Sequence, residues 1–368
     1  MVDHYSADFN ERENIMYNLD NPETIKTFDE SDMQNILINF ADQYKDAKNA
    51  SQKFDVPISF RHIRNIVVSG MGGSAIGGDL LRSLFSDECP VPIVVNRDYK
   101  IPGFVDYSTL FIAASYSGDT EETISALKFA LEKKAKIISI SSGGKLKELS
   151  KEAGIPHFNI EKKGIQPRCA FGYLFVPMIF FLSKLGLISD QSQNLEETAE
   201  IIAKVSMELS PDVPTENNQA KQLALTLYTR LPVIYAPQSY FDIVAMRWKG
   251  QFNENSKTMA FYNVIPEMNH NEIVGWGMPL DISQRCVVII LTHKDESPKI
   301  RKRIDVTKSL IAGEGTQVIE IQAEGKSLLT KALYLIFLGD LMSYYLAILN
   351  SVDPTPVERI QILKSMLE

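Results

Sequence analysis

Two short loops of this sequence carry glycine and hydroxyl residues in a pattern that suits a bound anion. The first, SGMGGSAIGGD, follows the apolar run IRNIVV and leads into a helix pattern; the second is ASYSGDTEET. Backbone N–H groups at a helix start, together with several hydroxyls, can donate hydrogen bonds to one phosphate dianion. We therefore predict a phosphate site whose ligands are Gly72, Gly73, Ser74, Ser115, Ser117 and Thr120.

The first loop allows two other interpretations. Gly70, Gly72 and Ala75 satisfy the dinucleotide pattern G-x-G-x-x-G/A, and Asp98 lies near the distance expected for a ribose-binding acid. Alternatively, the glycines only allow a helix and a strand to pack closely. A Walker loop is excluded, because Gly78 stands where that motif requires lysine.

A glutamate and a histidine further along the chain form a second group. Glu254 lies in FNENSK and His270 in PEMNHNE, and the segment between them has little regular periodicity, which predicts solvent-facing loops. A partly desolvated carboxylate can take and return a proton near neutral pH, and histidine changes charge in the same range. From chemistry alone, Glu267 and Glu272 are equally plausible bases.

Alternating strands and helices position these groups. Apolar strands separated by single helices predict an α/β fold with doubly wound parallel sheets, and the alternation restarts after a polar stretch over 190–228. We therefore predict two similar halves. An amphipathic helix is expected before the first half, with Ser31 as its N-cap.

Composition excludes several classes of protein. The 368 residues are 45% hydrophobic and 23% charged, as in globular proteins, and a formal charge of −8 disfavours nucleic-acid binding. Cys89, Cys169 and Cys286 are widely spaced, which favours neither a disulfide framework nor a zinc site and makes a cytoplasmic setting the default. No targeting or membrane-spanning segment is expected.

Beyond the loops, the stretch NENSKTMAFYNVIPEMNHNEIVGW resembles the bifunctional phosphoglucose/phosphomannose isomerase family, as do the two loops themselves. The resemblance covers nearly the whole chain. It implies two sugar isomerase (SIS) domains with flavodoxin-like layers, N-terminal and C-terminal helices, and no cofactor or metal. The expected divisions are an N-terminal helical segment (1–54), two SIS domains (55–190 and 191–345), and a helix that completes the active site (346–368).

The resemblance also implies roles for individual residues. Glu254 is the expected base for moving a proton between adjacent sugar carbons, and His270 the expected group for opening the sugar ring. Arg168 is expected to stabilise the enediolate oxygen, because a guanidinium stays charged in any surroundings. Lys364, on the last helix, is expected to reach the sugar.

The implied substrates are glucose 6-phosphate, fructose 6-phosphate and mannose 6-phosphate, interconverted through a cis-enediol. Thr355 lies near the position of a threonine that the family links to acceptance of both epimers. Members are homodimers in which the histidine comes from the neighbouring subunit, so His270 is expected to act across the interface. The alternatives are a sugar-phosphate-binding regulator without catalysis and an NAD(P)-dependent dehydrogenase. His4, His62, His157 and His293 are interpreted as structural or surface residues.

Overall fold

The computed structural model of the protein describes residues 19–161 and 163–367. By internal contact the chain divides into two units. We call residues 40–200 with 327–330 the first unit, and residues 19–39, 201–326 and 331–367 the second unit. These two units are defined by contacts between residues, whereas the predicted domains were defined by the order of strands and helices along the chain. The two divisions therefore do not test each other, and the predicted domain bounds stay a prediction.

Within the described residues, helices and strands alternate along most of the chain. The helices are α1 Pro22–Phe28, α2 Met33–Ile38, α3 Phe40–Lys53, α4 Gly72–Leu84, α5 Glu121–Glu132, α6 Gly144–Glu152, α7 Phe171–Lys184, α8 Ser192–Glu208, α9 Gln219–Leu227, α10 Asp242–Glu254, α11 Leu280–Ser283, α12 Pro298–Gly313, α13 Leu328–Leu349 and α14 Glu358–Leu367. The strands are β1 Asn65–Ser69, β2 Ile93–Asn96, β3 Thr109–Ala114, β4 Lys136–Ser141, β5 His157–Asn159, β6 Leu231–Pro237, β7 Phe261–Ile265, β8 Cys286–Thr292 and β9 Gln317–Gln322.

Each unit contains one parallel sheet. The first has the order β2-β1-β3-β4-β5, and its neighbouring strands pair in parallel register. The second has the order β7-β6-β8-β9, again with parallel pairing. The second order repeats that of the first four strands of the other sheet. The predicted α/β class with two parallel sheets is confirmed.

The strands appear in the sequence as apolar runs because both of their faces are buried. All six residues of β3 and all seven of β8 are buried, because helices cover both faces of a parallel sheet. The core of the first unit includes Val67, Phe111 and Leu127, and the core of the second includes Tyr235 and Ile290.

Three elements differ from the prediction. The single helix expected after Ser31 is divided at Asn39 into α2 and α3. Asp32, rather than Ser31, is the residue before the first turn of α2, and the carboxylate of Asp29 accepts from the N–H groups of Met33 (2.7 Å) and Gln34 (2.8 Å). The strands β5 and β7 were not predicted. β5 has three residues, and β7 is an edge strand whose first two residues are exposed and whose apolar residues are interrupted by Asn263.

One described helix, α13, has the length and composition of a membrane span. Every residue of its apolar window is buried within the protein, as in the core helix of a globular fold.

Candidate active site

The first glycine loop lies between β1 and α4, at the carboxyl end of the sheet. Gly72 has a φ of +48°, and a Cβ at Gly73 would lie 2.9 Å from the carbonyl oxygen of Pro167, so another backbone segment approaches closely there. Ser74 is buried, and its Oγ accepts from the N–H of Tyr116 at 3.2 Å. The Ser74 hydroxyl therefore keeps its own proton to donate.

The second loop gathers three hydroxyls between β3 and α5. Ser115 Oγ lies 2.8 Å from Thr120 Oγ1 and 3.5 Å from Ser117 Oγ. It also accepts from the N–H of Gly118 (3.0 Å), and Thr120 is the N-cap of α5. The structure thus brings Ser115, Ser117 and Thr120 together at a helix N-terminus, where the dipole and free N–H groups favour an anion.

The Tyr116 main chain connects the first two loops to a third that the sequence analysis did not single out. Besides its N–H bond to Ser74, Tyr116 accepts at its carbonyl oxygen from the N–H (3.0 Å) and Oγ (2.7 Å) of Ser142. The third loop follows β4, and a Cβ on Gly118 would come 1.8 Å from the carbonyl oxygen of Gly143. The sequence signal for this loop is SSGG directly after the apolar run of β4.

Asp98, the acid of the dinucleotide alternative, follows β2 and is exposed. Its carboxylate accepts from the N–H of Lys100 at 3.3 Å, which is a local turn contact. The neighbouring Arg97 forms an ion pair with Asp79 of α4.

Arg168 lies in a short 3₁₀ helix, Pro167–Cys169, that precedes α7. The residue is 4% exposed, and its Cα lies 3.1 Å from the position of a Cβ built on Gly73. The structure therefore packs the backbone of Arg168 against the first glycine loop. A buried guanidinium stays charged, so it is a fixed positive group in the same unit as the hydroxyl loops.

Glu254 is the last residue of α10, and its carbonyl oxygen accepts from Lys257 Nζ at 2.7 Å. Trp248 and Phe252 are fully buried one turn apart and anchor the end of this helix. Glu254 lines a cavity of about 540 Å³, whose other lining residues include Lys257, Asp353 and Arg359. The expectation of loops from Glu254 to His270 was wrong in part, because this segment contains a helix end, β7 and a 3₁₀ helix.

His270 ends the 3₁₀ helix Glu267–His270 and is exposed to solvent. His270 is not among the described residues that line the Glu254 cavity. The structure of one chain therefore places Glu254 and His270 in the same unit without bringing them into one cavity.

The two rival bases are engaged in hydrogen bonds near His270. The Glu272 carboxylate accepts from the Tyr235 hydroxyl and from the Asn263 amide, and the Glu267 carboxylate accepts from Asn271 Nδ2 at 2.9 Å. Burial, followed by the bond to Glu272, raises the pKa of Tyr235 well above its ordinary value.

The other described histidines have different surroundings. Burial lowers the pKa of His157 to about 4 and lowers that of His293, so both are neutral near pH 7. His62 is exposed, and His4 lies outside the described residues.

Two further predicted residues lie near the end of the chain. Lys364 is exposed in the last turn of α14. Thr355 is half-buried in the turn before α14, and its N–H donates to Asp353 Oδ1 at 2.8 Å. Among the described residues, no group of three or more His, Cys, Asp or Glu side chains is arranged to hold a metal ion.

Comparison with known proteins decides the family. Residues 216–367 match the family described as the bacterial phospho-glucose isomerase C-terminal SIS domain. A bifunctional phosphoglucose/phosphomannose isomerase from Caldicellulosiruptor bescii is 44% identical over 90% of this chain and 97% of the relative. The chain belongs to the bifunctional phosphoglucose/phosphomannose isomerase family. It is an isomerase, and neither the regulator nor the dehydrogenase alternative is supported.

Other matches agree with this assignment. The bifunctional phosphoglucose/phosphomannose isomerase from Thermoplasma acidophilum is 38% identical to this chain, and the match covers 90% of this chain and 98% of the Thermoplasma protein. The solved structure of a glucose-6-phosphate isomerase like protein from Thermus thermophilus shares the fold, with a TM-score of 0.60 and 18% identity. The match covers 94% of this chain and 98% of the Thermus chain.

Proposed function

We propose that this isomerase interconverts fructose 6-phosphate with glucose 6-phosphate and mannose 6-phosphate through a cis-enediol. The family assignment makes the chain an aldose–ketose isomerase of sugar phosphates. The observation that carries the choice of a phosphorylated substrate is the hydroxyl cluster of Ser115, Ser117 and Thr120 at the N-terminus of α5.

The two hydroxyl loops of the first unit hold the substrate phosphate in this proposal. Ser74 and the backbone around Gly72 and Gly73 donate from one loop, and Ser115, Ser117 and Thr120 donate from the other. Short polar side chains leave room for the phosphate oxygens, and donors fixed by the main chain need little rearrangement to bind them.

Glu254 is the proposed base. Its carboxylate removes the proton from C1 of fructose 6-phosphate, and the electron pair forms the C1–C2 double bond of the enediol while the C2 oxygen gains a proton. Return of the proton to C2, as the C1 hydroxyl gives up its own proton and becomes the aldehyde oxygen, gives an aldose. Glucose 6-phosphate and mannose 6-phosphate differ only in the face of C2 that is protonated, so one enediol serves both products.

Three cationic or titratable groups and one threonine complete the proposal. Arg168 stabilises the negative charge that develops on the enediolate oxygen, and its burial strengthens that interaction. His270 opens the sugar ring by protonating the ring oxygen, because an imidazole exchanges protons near neutral pH. Lys364 contacts the sugar from α14, and Thr355 supports acceptance of both epimers.

The setting of His270 supports a homodimer in which this histidine acts in the partner's active site. Exposed apolar side chains flank it in the sequence: Phe261 on β7, with Val274 and Met278 on the segment that follows, are 51%, 85% and 83% exposed. Apolar residues this exposed are typical of a protein contact surface. The cytoplasm is the proposed location, where the free cysteines stay reduced.

Product analysis tests this function. Purified protein is treated with a chelator, freed of nucleotides and incubated with fructose 6-phosphate, and the aldoses are separated by ion chromatography. We expect both glucose 6-phosphate and mannose 6-phosphate. Formation of neither aldose would refute the proposal, and formation of glucose 6-phosphate alone would refute dual specificity.

A further inference from the structure

Lys257 adopts a backbone conformation that lysine seldom takes. Its φ is +54°, in the left-handed region, three residues after the end of α10. Glycine is the usual residue there, because a Cβ in this region crowds the following carbonyl. A lysine held in this conformation therefore suggests that its side chain has a specific structural or functional role.

The Lys257 ammonium donates to three main-chain carbonyls. Its Nζ lies 2.7 Å from the oxygen of Glu254, 3.2 Å from that of Asn255 and 3.1 Å from that of Pro354. An ammonium has three N–H donors, so these bonds use all of them. Two acceptors are carbonyls at the end of α10, where the helix dipole also favours a cation.

The third acceptor belongs to the turn that carries Thr355. The Thr355 N–H donates to Asp353 within this turn, and Asp353 lines the same cavity of about 540 Å³ as Glu254 and Lys257. Lys257 therefore joins the helix end that bears Glu254 to the neighbouring wall of one cavity.

Hydrogen bonds of Asn255 and Ser256 hold the segment after α10 in place independently of Lys257. Asn255 Nδ2 donates to Ser343 Oγ at 2.9 Å, and Ser256 Oγ donates to the carbonyl of Ser343 in α13 at 2.6 Å. Both residues are fully buried. Loss of the ammonium should thus leave the fold in place while freeing the 353–356 turn from the end of α10.

We propose that Lys257 is a positioning residue, which fixes the Glu254 carboxylate relative to the Pro354–Thr355 turn. It thereby sets the rate of proton transfer and the ratio of the two aldoses formed. This role rests on the proposed function of Glu254 and Thr355, and the bonds that carry it run from the Lys257 ammonium to main-chain carbonyls.

The test compares Lys257→Gly with Lys134→Gly. Lys134 also has a left-handed backbone (φ +56°) and an exposed side chain, but it follows α5 in the first unit, outside the residues assigned to the reaction. Glycine relieves the left-handed backbone in both variants, which offsets the freedom that glycine adds to the unfolded chain. Both variants should therefore fold; Lys134→Gly should unfold near the wild-type temperature, and Lys257→Gly somewhat below it, because it loses three hydrogen bonds. Lys257→Met, which keeps the aliphatic stem without donors, and Lys257→Arg, which keeps donors, complete the set.

We expect Lys257→Gly and Lys257→Met to lose about tenfold to a hundredfold in kcat, the scale of a small misplacement of reacting groups. Their KM for fructose 6-phosphate should stay within about twofold of wild type, because the phosphate ligands are untouched. The ratio of glucose to mannose 6-phosphate should change, Lys257→Arg should recover most of kcat, and Lys134→Gly should match wild type.

The proposal is overturned if Lys257→Gly keeps kcat within about twofold together with the wild-type product ratio. Failure of that variant to fold would also contradict it, since the role assigned is positioning rather than stability. Wild-type turnover, measured first, separates the two claims: an inactive wild type refutes the proposed function and this role with it, whereas an active wild type with an unaffected variant refutes this role alone.

Discussion

At the scale of single residues, the candidate phosphate site depends on hydroxyls that already accept a hydrogen bond from the main chain. Ser74 Oγ accepts from the N–H of Tyr116, and Ser115 Oγ accepts from that of Gly118. These bonds orient each hydroxyl and do not use its proton. The Ser115 hydroxyl also lies 2.8 Å from Thr120 Oγ1, so these two hydroxyls share one hydrogen bond and can offer the other proton to a ligand. Hydroxyls fixed in this way suit a phosphate better than freely rotating ones, because less conformational freedom is lost on binding.

Substitution of Ser115 tests this arrangement. We expect Ser115→Ala to raise KM for fructose 6-phosphate about tenfold to a hundredfold, since a hydrogen bond to a charged group contributes roughly 1.5–3 kcal/mol. Steady-state kinetics provides the measurement. Ser139→Ala is the control, because Ser139 Oγ bonds to Ser150 (2.7 Å) and His157 (2.8 Å) instead; it should lower stability and leave KM unchanged. Equal KM values for Ser115→Ala and wild type would remove Ser115 from the site.

At the scale of elements, the loops after β1, β3 and β4 are held by close backbone contacts that only glycine permits. Gly118 has a φ of +81°, and a Cβ there would meet the Gly143 carbonyl oxygen at 1.8 Å. No side-chain adjustment can relieve this contact, since both partners are main chain. The main chains of the second and third loops are therefore packed directly against each other.

Gly118→Ala is expected to separate these two loops. We predict a lower unfolding temperature and a KM raised at least tenfold, as the hydroxyls of the second loop lose their arrangement. Gly154→Ala is a matched control: Gly154 also has a positive φ (+64°), but nothing lies within 4 Å of its Cβ position. The control should show only the cost of a left-handed alanine, about 1–2 kcal/mol in free energy of unfolding, with KM unchanged. If both variants behave alike, the contact with Gly143 is not what holds the second loop.

Comparison of the observed elements with the predicted ones shows which parts of the fold can be predicted from sequence. The buried strands β1, β3 and β4 and the hydroxyl loops were predictable, because parallel strands read as apolar runs and their carboxyl ends carry glycine and serine. The edge strand β7 is short, is interrupted by Asn263 and has its first two residues exposed, so it lacks the continuous buried run of the central strands. Likewise, neither the approach of Pro167 to Gly73 nor the bond from Lys257 to Pro354 follows from local sequence, because both join segments far apart in the chain.

At the scale of the whole molecule, the active site is proposed to need two copies of the chain. His270 is exposed and does not line the described Glu254 cavity, and the segments beside it present exposed apolar side chains. A C2 dimer would bury such a surface on both subunits at once. Each active site would then combine Glu254 of one chain with His270 of the other.

Mixing two inactive variants tests this arrangement. Glu254→Gln and His270→Ala homodimers should each be nearly inactive. If His270 acts across the interface, subunit exchange at equal concentrations should restore about a quarter of wild-type activity, because half of the dimers are mixed and each has one intact site. If Glu254 and His270 of one chain act together, no mixed dimer contains an intact pair and activity stays at the level of the parents. Light scattering establishes the dimer and its exchange.

Proton transfer at Glu254 is the central claim, and solvent deuterium tests it most directly. The protein converts fructose 6-phosphate in D₂O, and NMR spectroscopy measures deuterium at C2 of each aldose. A base that exchanges its proton with solvent while the enediol exists predicts deuterium at C2 of both products. Glu254→Gln should form neither aldose at a measurable rate while still binding substrate. Undiminished turnover by Glu254→Gln, with deuterium entering C2 at the wild-type rate, would contradict the account.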